Sequence, residues 1–298
     1  MIYSAIIGGL GNQMFQYAVG RACSEREKTI LKLDTTGFET YPHHSYSLQH
    51  FNIIENYASR KEVRRFHWLR DAISTQPPHF LYRILRKMKI AKQALNALGY
   101  VRESQRTYDS SVVKLSGTRY LDGYWHTEKY FKDIETILRK EFSLKQPMGK
   151  VGQEFAANIH SQNTPICLHV RRGDFANNPE VSAHHGVTPL SYYYDAVKVL
   201  ARKVENPHFF IFSDSLDWAK ENISLPYPMS FVGQGADKNH EDIILMSYCK
   251  HHILSNSTFG WWGAWLANSP DQVVIAPKKW LAKEIDISDR LPESWIQM

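Results

Sequence analysis

The sequence predicts an α/β protein of two doubly wound parallel domains that face one another across a cleft. Three observations carry this: a strand, a glycine turn and a helix at the front of the chain, a lapse of pattern near residue 147, and a regular alternation of short apolar runs with helical periods beyond it. At 298 residues the chain has room for two domains of about 150 residues each. Short apolar strands alternating with helices imply parallel sheets covered on both faces. Such sheets bind ligands beyond the C-terminal ends of their strands.

Residues 3–7 are apolar and β-favouring, Gly8-Gly9-Leu10-Gly11 makes the turn, and Asn12 opens a helix to about residue 27, with a second strand at 29–33. After a middle section rich in helix signals, residues 119–125 read as a strand. Residues 127–142 read as a helix carrying Tyr130, Phe131, Ile134, Ile137 and Leu138. The pattern lapses at 143–152, where Lys145-Gln146-Pro147-Met148-Gly149 reads as a linker. Beyond it, strands are expected at 166–170, 209–212, 229–232, 253–255 and 273–276, and helices at 189–204, 216–221, 241–249 and 261–267. The domains are accordingly residues 1–147 and 148–298.

With 43% hydrophobic and 22% charged residues, the composition is that of a globular protein able to bury real cores. No apolar run approaches the roughly 20 residues that span a bilayer, and the opening Met1-Ile2-Tyr3-Ser4-Ala5 lacks the front of a secretory signal, so a cytoplasmic protein is expected. Cys23, Cys167 and Cys249 are odd in number and widely spaced, which fits neither a disulfide framework nor a zinc site; they read as buried thiols.

The formal charge of +6 is unevenly spread: residues 60–106 hold 12 Lys/Arg against 3 Asp/Glu, so the rest of the chain is slightly acidic. Within that stretch Phe80, Leu81, Ile84, Leu85, Met88, Ala91, Leu95 and Leu98 recur at helical spacing, with Arg83, Arg86, Lys87, Lys89 and Lys92 between them. Such a basic amphipathic helix is either the solvated face of a packed helix or a peripheral contact with an anionic membrane, here the inner face. Nucleic-acid binding is disfavoured, since the basic residues gather on one segment without a recognised motif.

The densest chemistry is His169-Val170-Arg171-Arg172-Gly173-Asp174, directly after the buried run Ile166-Cys167-Leu168. Two guanidiniums at the mouth of a parallel sheet suit a diphosphate, because each planar fork grips phosphate oxygens in two places and stays charged at any working pH. The alternative reading of the same residues is an Arg–Asp ion-pair cluster that caps a strand. Ser213-Asp214 ends another strand, and its carboxylate either accepts from guanine N1 and N2 groups or caps the helix that follows. Ser255-Asn256-Ser257-Thr258-Phe259-Gly260 brings hydroxyls and backbone N–H groups to a helix N-terminus, an anion site, while Trp261 and Trp262 read as core. The glycine turn has the spacing of neither the dinucleotide fingerprint nor the P-loop. No Asp-x-Asp metal motif is present; Asp214 and Asp217 are three apart.

Together, the block from Gly8 to Ala18, the His169–Asp174 block, Ser213-Asp214 and the block from Ser255 to Leu266 resemble, in order and over nearly the whole chain, the bacterial α-1,2-fucosyltransferases of glycosyltransferase family 11. The resemblance implies a GT-B architecture of two Rossmann-like domains, residues 1–147 on the acceptor side with a helical insertion and 148–298 holding the donor. It implies GDP-β-L-fucose as co-substrate, no cofactor and no metal. It also implies inversion to an α-1,2 linkage on the 2-hydroxyl of a terminal galactose in an oligosaccharide or lipid-linked glycan. Arg171 would grip the β-phosphate, Gly11 and Asn12 would reach the donor from the other domain, and Ser257, Thr258 and Phe259 would line the phosphates. His169, Arg172, Asp174, Ser213, Asp214 and Asn256 complete the expected donor set. Residues 120–130 resemble a block of the acceptor domain, in which Asp122, His126 and Glu128 are candidate bases or else turn and cap residues. The rival functions are another GDP-sugar transferase, of the protein O-fucosyltransferase type, and a non-catalytic nucleotide- or sugar-binding module.

Overall fold

The computed structural model describes residues 1–74, 89–114, 116–173, 182–183, 186–282 and 286–298. It divides into two compact units, Met1–Phe142 and Ser143–Met298. Asp174, and the part of the expected basic helix before Lys89, lie outside the described residues.

Unit 1 runs β1 (Ile2–Ala5), α1 (Leu10–Arg26), β2 (Leu31–Asp34), α2 (Arg60–Ser74), α3 (Lys89–Ala97), β3 (Tyr100–Arg102), α4 (Ser110–Val113), β4 (Arg119–Asp122) and α5 (Glu135–Glu141). Its sheet is parallel, in the order β2-β1-β4-β3. The register aligns Tyr3, Tyr120 and Tyr100 in one row. Their rings, with Val63 and Phe66 of α2, form a buried cluster in which Phe66 stacks on Tyr120 at 4.9 Å. α1 starts two residues earlier than expected, because Gly9 supplies an extended N-cap and Gly8 takes a φ of +86° that suits glycine. The expected helix over 127–142 is broken: two 3₁₀ turns, Glu128–Tyr130 and Lys132–Ile134, precede α5. Phe131 stands between the turns at φ −142°, turned so that its ring is buried. Burial of one ring overrides helical periodicity here.

Unit 2 runs α6 (Lys150–Ser161), β5 (Thr164–Val170), α7 (Leu190–Ala201), β6 (Pro207–Ser213), α8 (Leu216–Asn222), β7 (Met229–Val232), α9 (Asn239–Ser247), β8 (His251–Ile253), α10 (Thr258–Leu266), β9 (Val274–Ala276) and β10 (Ile296–Gln297). The strands are parallel, in the order β10-β9-β8-β5-β6-β7. This is the doubly wound arrangement, with its change of direction between β5 and β8. β5 is the central strand. Ile166, Leu168 and Val170 on it meet Phe209 and Ile211 of β6 and Val197 and Leu200 of α7 in the core. The three cysteines are buried and unbonded. Among the described residues no helix is long and apolar enough to cross a membrane.

Candidate functional site

In unit 2 the three expected segments leave neighbouring strands at their C-terminal ends: Arg171 and Arg172 after β5, Asp214 after β6, and Ser255 to Ser257 after β8. This is where a doubly wound sheet leaves a crevice. The Arg171 Nη1 lies 3.1 Å from Asp214 Oδ2, each side chain being 25% exposed. Asp214 Oδ1 accepts the Arg172 backbone N–H at 2.8 Å. The Arg172 guanidinium sits 3.9 Å over the ring of Trp218 on α8. A Cβ at Gly173 would overlap Asp214 Oδ2, so any other residue there would displace the carboxylate that braces Arg171. Asp214 is thus not a helix cap; the N-cap of α8 is Ser215, and the Ser213 hydroxyl accepts the Ser215 N–H at 3.1 Å. What Asp214 does is brace one edge of Arg171 and the backbone of Arg172.

Beneath the guanidiniums the polar residues are neutral and buried. His169 Nδ1 and Ser255 Oγ share a hydrogen bond of 2.9 Å. A Cβ at Gly260 would approach that nitrogen to 2.5 Å, so the start of α10 lies directly on the imidazole. Burial, and then the charge of Arg171, push His169 down to about 3 and keep it uncharged. Asn256 is occupied: its Oδ1 accepts from Thr188 Oγ1 at 2.9 Å, and its Nδ2 donates to the carbonyls of Gly186 and Trp280 at 3.3 Å each. His169 Nδ1 and the Asn256 amide, both on residues expected at the donor, hold the loop. Ser257 caps α10, accepting the Phe259 N–H at 3.3 Å, with Thr258 and Phe259 half-buried beside it. Trp261 and Trp262 are core, as expected from sequence.

In unit 1 the strand order jumps between neighbouring β1 and β4, and there Asn12 Oδ1 is 3.0 Å from His126 Nε2. An amide oxygen only accepts, so this bond places the ring proton on Nε2 and makes Nδ1 the acceptor. Tyr124, 41% exposed, stacks on His126 at 5.3 Å, and Phe15 meets the same ring edge-on at 5.2 Å. Gly11 is buried in the first turn of α1. The other two candidate bases are engaged: Asp122 accepts from the Tyr100 hydroxyl, and Glu128 pairs with the exposed Lys132 at 3.0 Å. Among the described residues no three His, Cys, Asp or Glu side chains gather as a metal site.

Three residues that hold this geometry were missed in the sequence. Gln16 accepts the Ile7 N–H at 2.9 Å and donates to the Gly123 carbonyl at 3.2 Å, tying the ends of β1 and β4 together. Gln13 donates to the carbonyls of Gly8 and Ser45 and accepts the Ser47 N–H at 2.8 Å. The Glu103 carboxylate receives the N–H groups of Tyr124 at 2.7 Å and Trp125 at 3.0 Å, fixing a turn in which Trp125 takes a φ of +59°. The available signal for the glutamines was their spacing: three apart, they fall on one side of the helix in the run Gln13 to Val19, which is otherwise apolar.

Two parallel units, with a braced guanidinium pair at one jump in strand order and an amide–imidazole pair at the other, define an α/β protein of the GT-B type. Its fold is that of fucosyltransferase NodZ from Bradyrhizobium, with a TM-score of 0.51 over 92% of this chain and 94% of that chain at 13% identity. The chain belongs to glycosyl transferase family 11, whose sequence profile matches residues 1–298, and it is therefore a glycosyltransferase. An alpha-1,2-colitosyltransferase of Escherichia coli is 32% identical over 100% of this chain and 99% of its own length. Galactoside alpha-(1,2)-fucosyltransferase 1 of Homo sapiens is 27% identical over 52% of this chain and 45% of its own length.

Proposed function

We propose that this glycosyltransferase moves L-fucose from GDP-β-L-fucose, with inversion, to the 2-hydroxyl of a terminal galactose, and does so without a metal ion. The observation that carries the reading is the guanidinium pair at the β5/β8 reversal, with Arg171 braced by Asp214. As the bond from fucose C1 to the β-phosphate oxygen breaks, negative charge grows on that oxygen, and a fixed cation there stabilises it. Loss of one such preorganised group typically costs roughly 3 kcal/mol, or about 100-fold or more in rate. The hydroxyl of Thr258 and the N–H groups that open α10 suit the same anion.

On the acceptor side, the galactose 2-oxygen forms the new bond to C1 and its proton passes to His126 Nδ1, the acceptor atom fixed by the bond to Asn12. The exposed ring of Tyr124 offers an apolar face to the sugar. A loose, oxocarbenium-like transition state lowers the demand on the base without removing it.

Incubation with GDP-fucose, lactose and EDTA tests this. Fucosyl-lactose formed in the presence of chelator is the expected product. Turnover only on a protein acceptor, or donor binding with no turnover, returns one of the rival functions, and turnover abolished by EDTA removes the metal-free step. The identity to the colitosyltransferase favours one further reading, in which nucleotide-activated colitose replaces the fucose donor. Parallel assays separate the two by which donor has the larger kcat/KM.

A further inference from the structure

We propose that the outward face of α2 docks on an anionic phospholipid membrane. α2 is held to unit 1 by its inner stripe, Val63 and Phe66, which is fully buried against the tyrosine row of the sheet. Lys61, Arg64, Arg65 and Trp68 fall on the opposite face at spacings of three and four, and all four are exposed. Trp68 is 69% exposed, so its indole contributes little to the core of its own unit. Leu98, just beyond α3, is 57% exposed, and α3 packs through Leu95 on the same tyrosine cluster as α2.

Tryptophan beside arginine and lysine is the pairing that settles at a membrane–water boundary, where the ring enters the headgroup layer and the cations meet lipid phosphates. The charge of α2 is complementary to such a surface, since Arg60–Ser74 carries Arg60, Lys61, Arg64, Arg65 and Arg70 against Glu62 and Asp71. The basic residues follow no recognised nucleic-acid motif, which favours lipid over nucleic acid as the anion. The inference is independent of which sugar is transferred, because none of these residues belongs to either jump in strand order.

Co-sedimentation of the full chain with phosphatidylcholine vesicles, with and without phosphatidylglycerol as about a third of the lipid, is the test. Each basic side chain at an anionic leaflet is worth about fivefold in partitioning, so the bound fraction is expected to rise at least about tenfold with phosphatidylglycerol. The double variant Lys61→Glu with Arg64→Glu is expected to abolish that gain, and Trp68→Ala to cut binding several-fold; Arg65 is left in place because its guanidinium packs 4.4 Å over the Phe66 ring. All should retain wild-type melting and wild-type kcat on a soluble acceptor. Equal binding to neutral vesicles, binding unchanged in both variants, or retention on single-stranded nucleic acid in preference to vesicles would each overturn the proposal.

Discussion

Both sheets are parallel and in each the strand order jumps once, between neighbouring β1 and β4 in unit 1 and between β5 and β8 in unit 2, yet different chemistry stands at the two jumps. Unit 2 raises two guanidiniums over a layer of neutral buried groups, His169, Ser255 and Asn256. Unit 1 presents an amide, an imidazole and a stacked tyrosine over buried glutamines. The contrast extends to the end of β2, where a dinucleotide-binding fold keeps a carboxylate for ribose. In unit 1 that position is Asp34, whose carboxylate is spent internally on Thr36, Tyr120 and His67. Each sheet offers a place where non-consecutive strands lie side by side, and the side chains make one place cationic and the other neutral.

Acid should separate the units most strongly. Burial pushes His169 down to about 3 and His252 down to about 4, both below the ordinary value of about 6.5. Such a histidine takes up a proton on unfolding, so its contribution is whole above about pH 6.5 and is lost as pH falls toward the folded value. By pH 4 each loss amounts to roughly 3 kcal/mol. Asp242, which burial raises to about 6, works in the opposite sense and returns roughly 2 kcal/mol over the same range. For Asp34, burial alone would raise the carboxyl, but its bonds from Thr36, Tyr120 and His67 outweigh that and hold it below the usual range. Its contribution is therefore lost only below about pH 3.8. Six of the eight tryptophans lie in unit 2, so their emission reports that unit. Between pH 7 and pH 4 the tryptophan transition should move to lower temperature and come to precede the loss of far-UV circular dichroism. Coincident, pH-independent transitions would erase the contrast.

Next in size is the charge itself. Arg171→Ala is expected to lower kcat/KM by on the order of 10²- to 10³-fold with little change in melting temperature. A variant that keeps more than about a tenth of wild-type kcat/KM has lost less than about 1.4 kcal/mol, and the cation of unit 2 would then have no part in the transition state.

How much of this could be read in the sequence follows from burial. The long strands of unit 2 were legible because parallel strands covered on both faces are continuous apolar runs, as from Ile166 to Val170. β9 is as short as β3 but was legible as a wholly buried apolar run, whereas β3 and β10 each carry an exposed polar residue. β8, expected at 253–255, lies at His251–Ile253, because its first two residues are buried histidines. The lapse at 143–152 covers only the first three residues of α6, where Gly149 and Gly152 hide the helical period, and the reason for glycine at 152 is the Glu241 carboxylate packed where a Cβ would be. At the site, the four blocks and their order were legible, since each lies at a strand end. The division of labour within them was not. His169 and Asn256 look like ligand-binding residues in one dimension, and only the third shows His169 Nδ1 and the Asn256 amide already bonded to the loop they support.

Smaller effects test the neutral character of unit 1. His126→Gln retains an amide able to bond Asn12 but removes the proton acceptor, and kcat should fall about 10- to 100-fold with donor KM unchanged. A rise in donor KM with unchanged kcat would move His126 to the nucleotide and blur the two places into one.

The smallest expected change is the sharpest on one point, whether a carboxylate works at the mouth of unit 1. Glu128 is tied to Lys132, whose side chain is 65% exposed, on a 3₁₀ turn beyond the strand end. A pair of that kind contributes about 0–1 kcal/mol to stability, so Glu128→Gln should leave both melting and kcat within about twofold of wild type. Asp122 differs in that the Tyr100 hydroxyl donates to it from the neighbouring strand, so Asp122→Asn would disturb packing and rate together and could not separate them. Glu128→Gln has no such ambiguity. A fall in its kcat comparable to that of His126→Gln, measured at saturating acceptor, would mean that Glu128 leaves Lys132 to act on the substrate, and that the mouth of unit 1 carries a working negative charge instead of an imidazole.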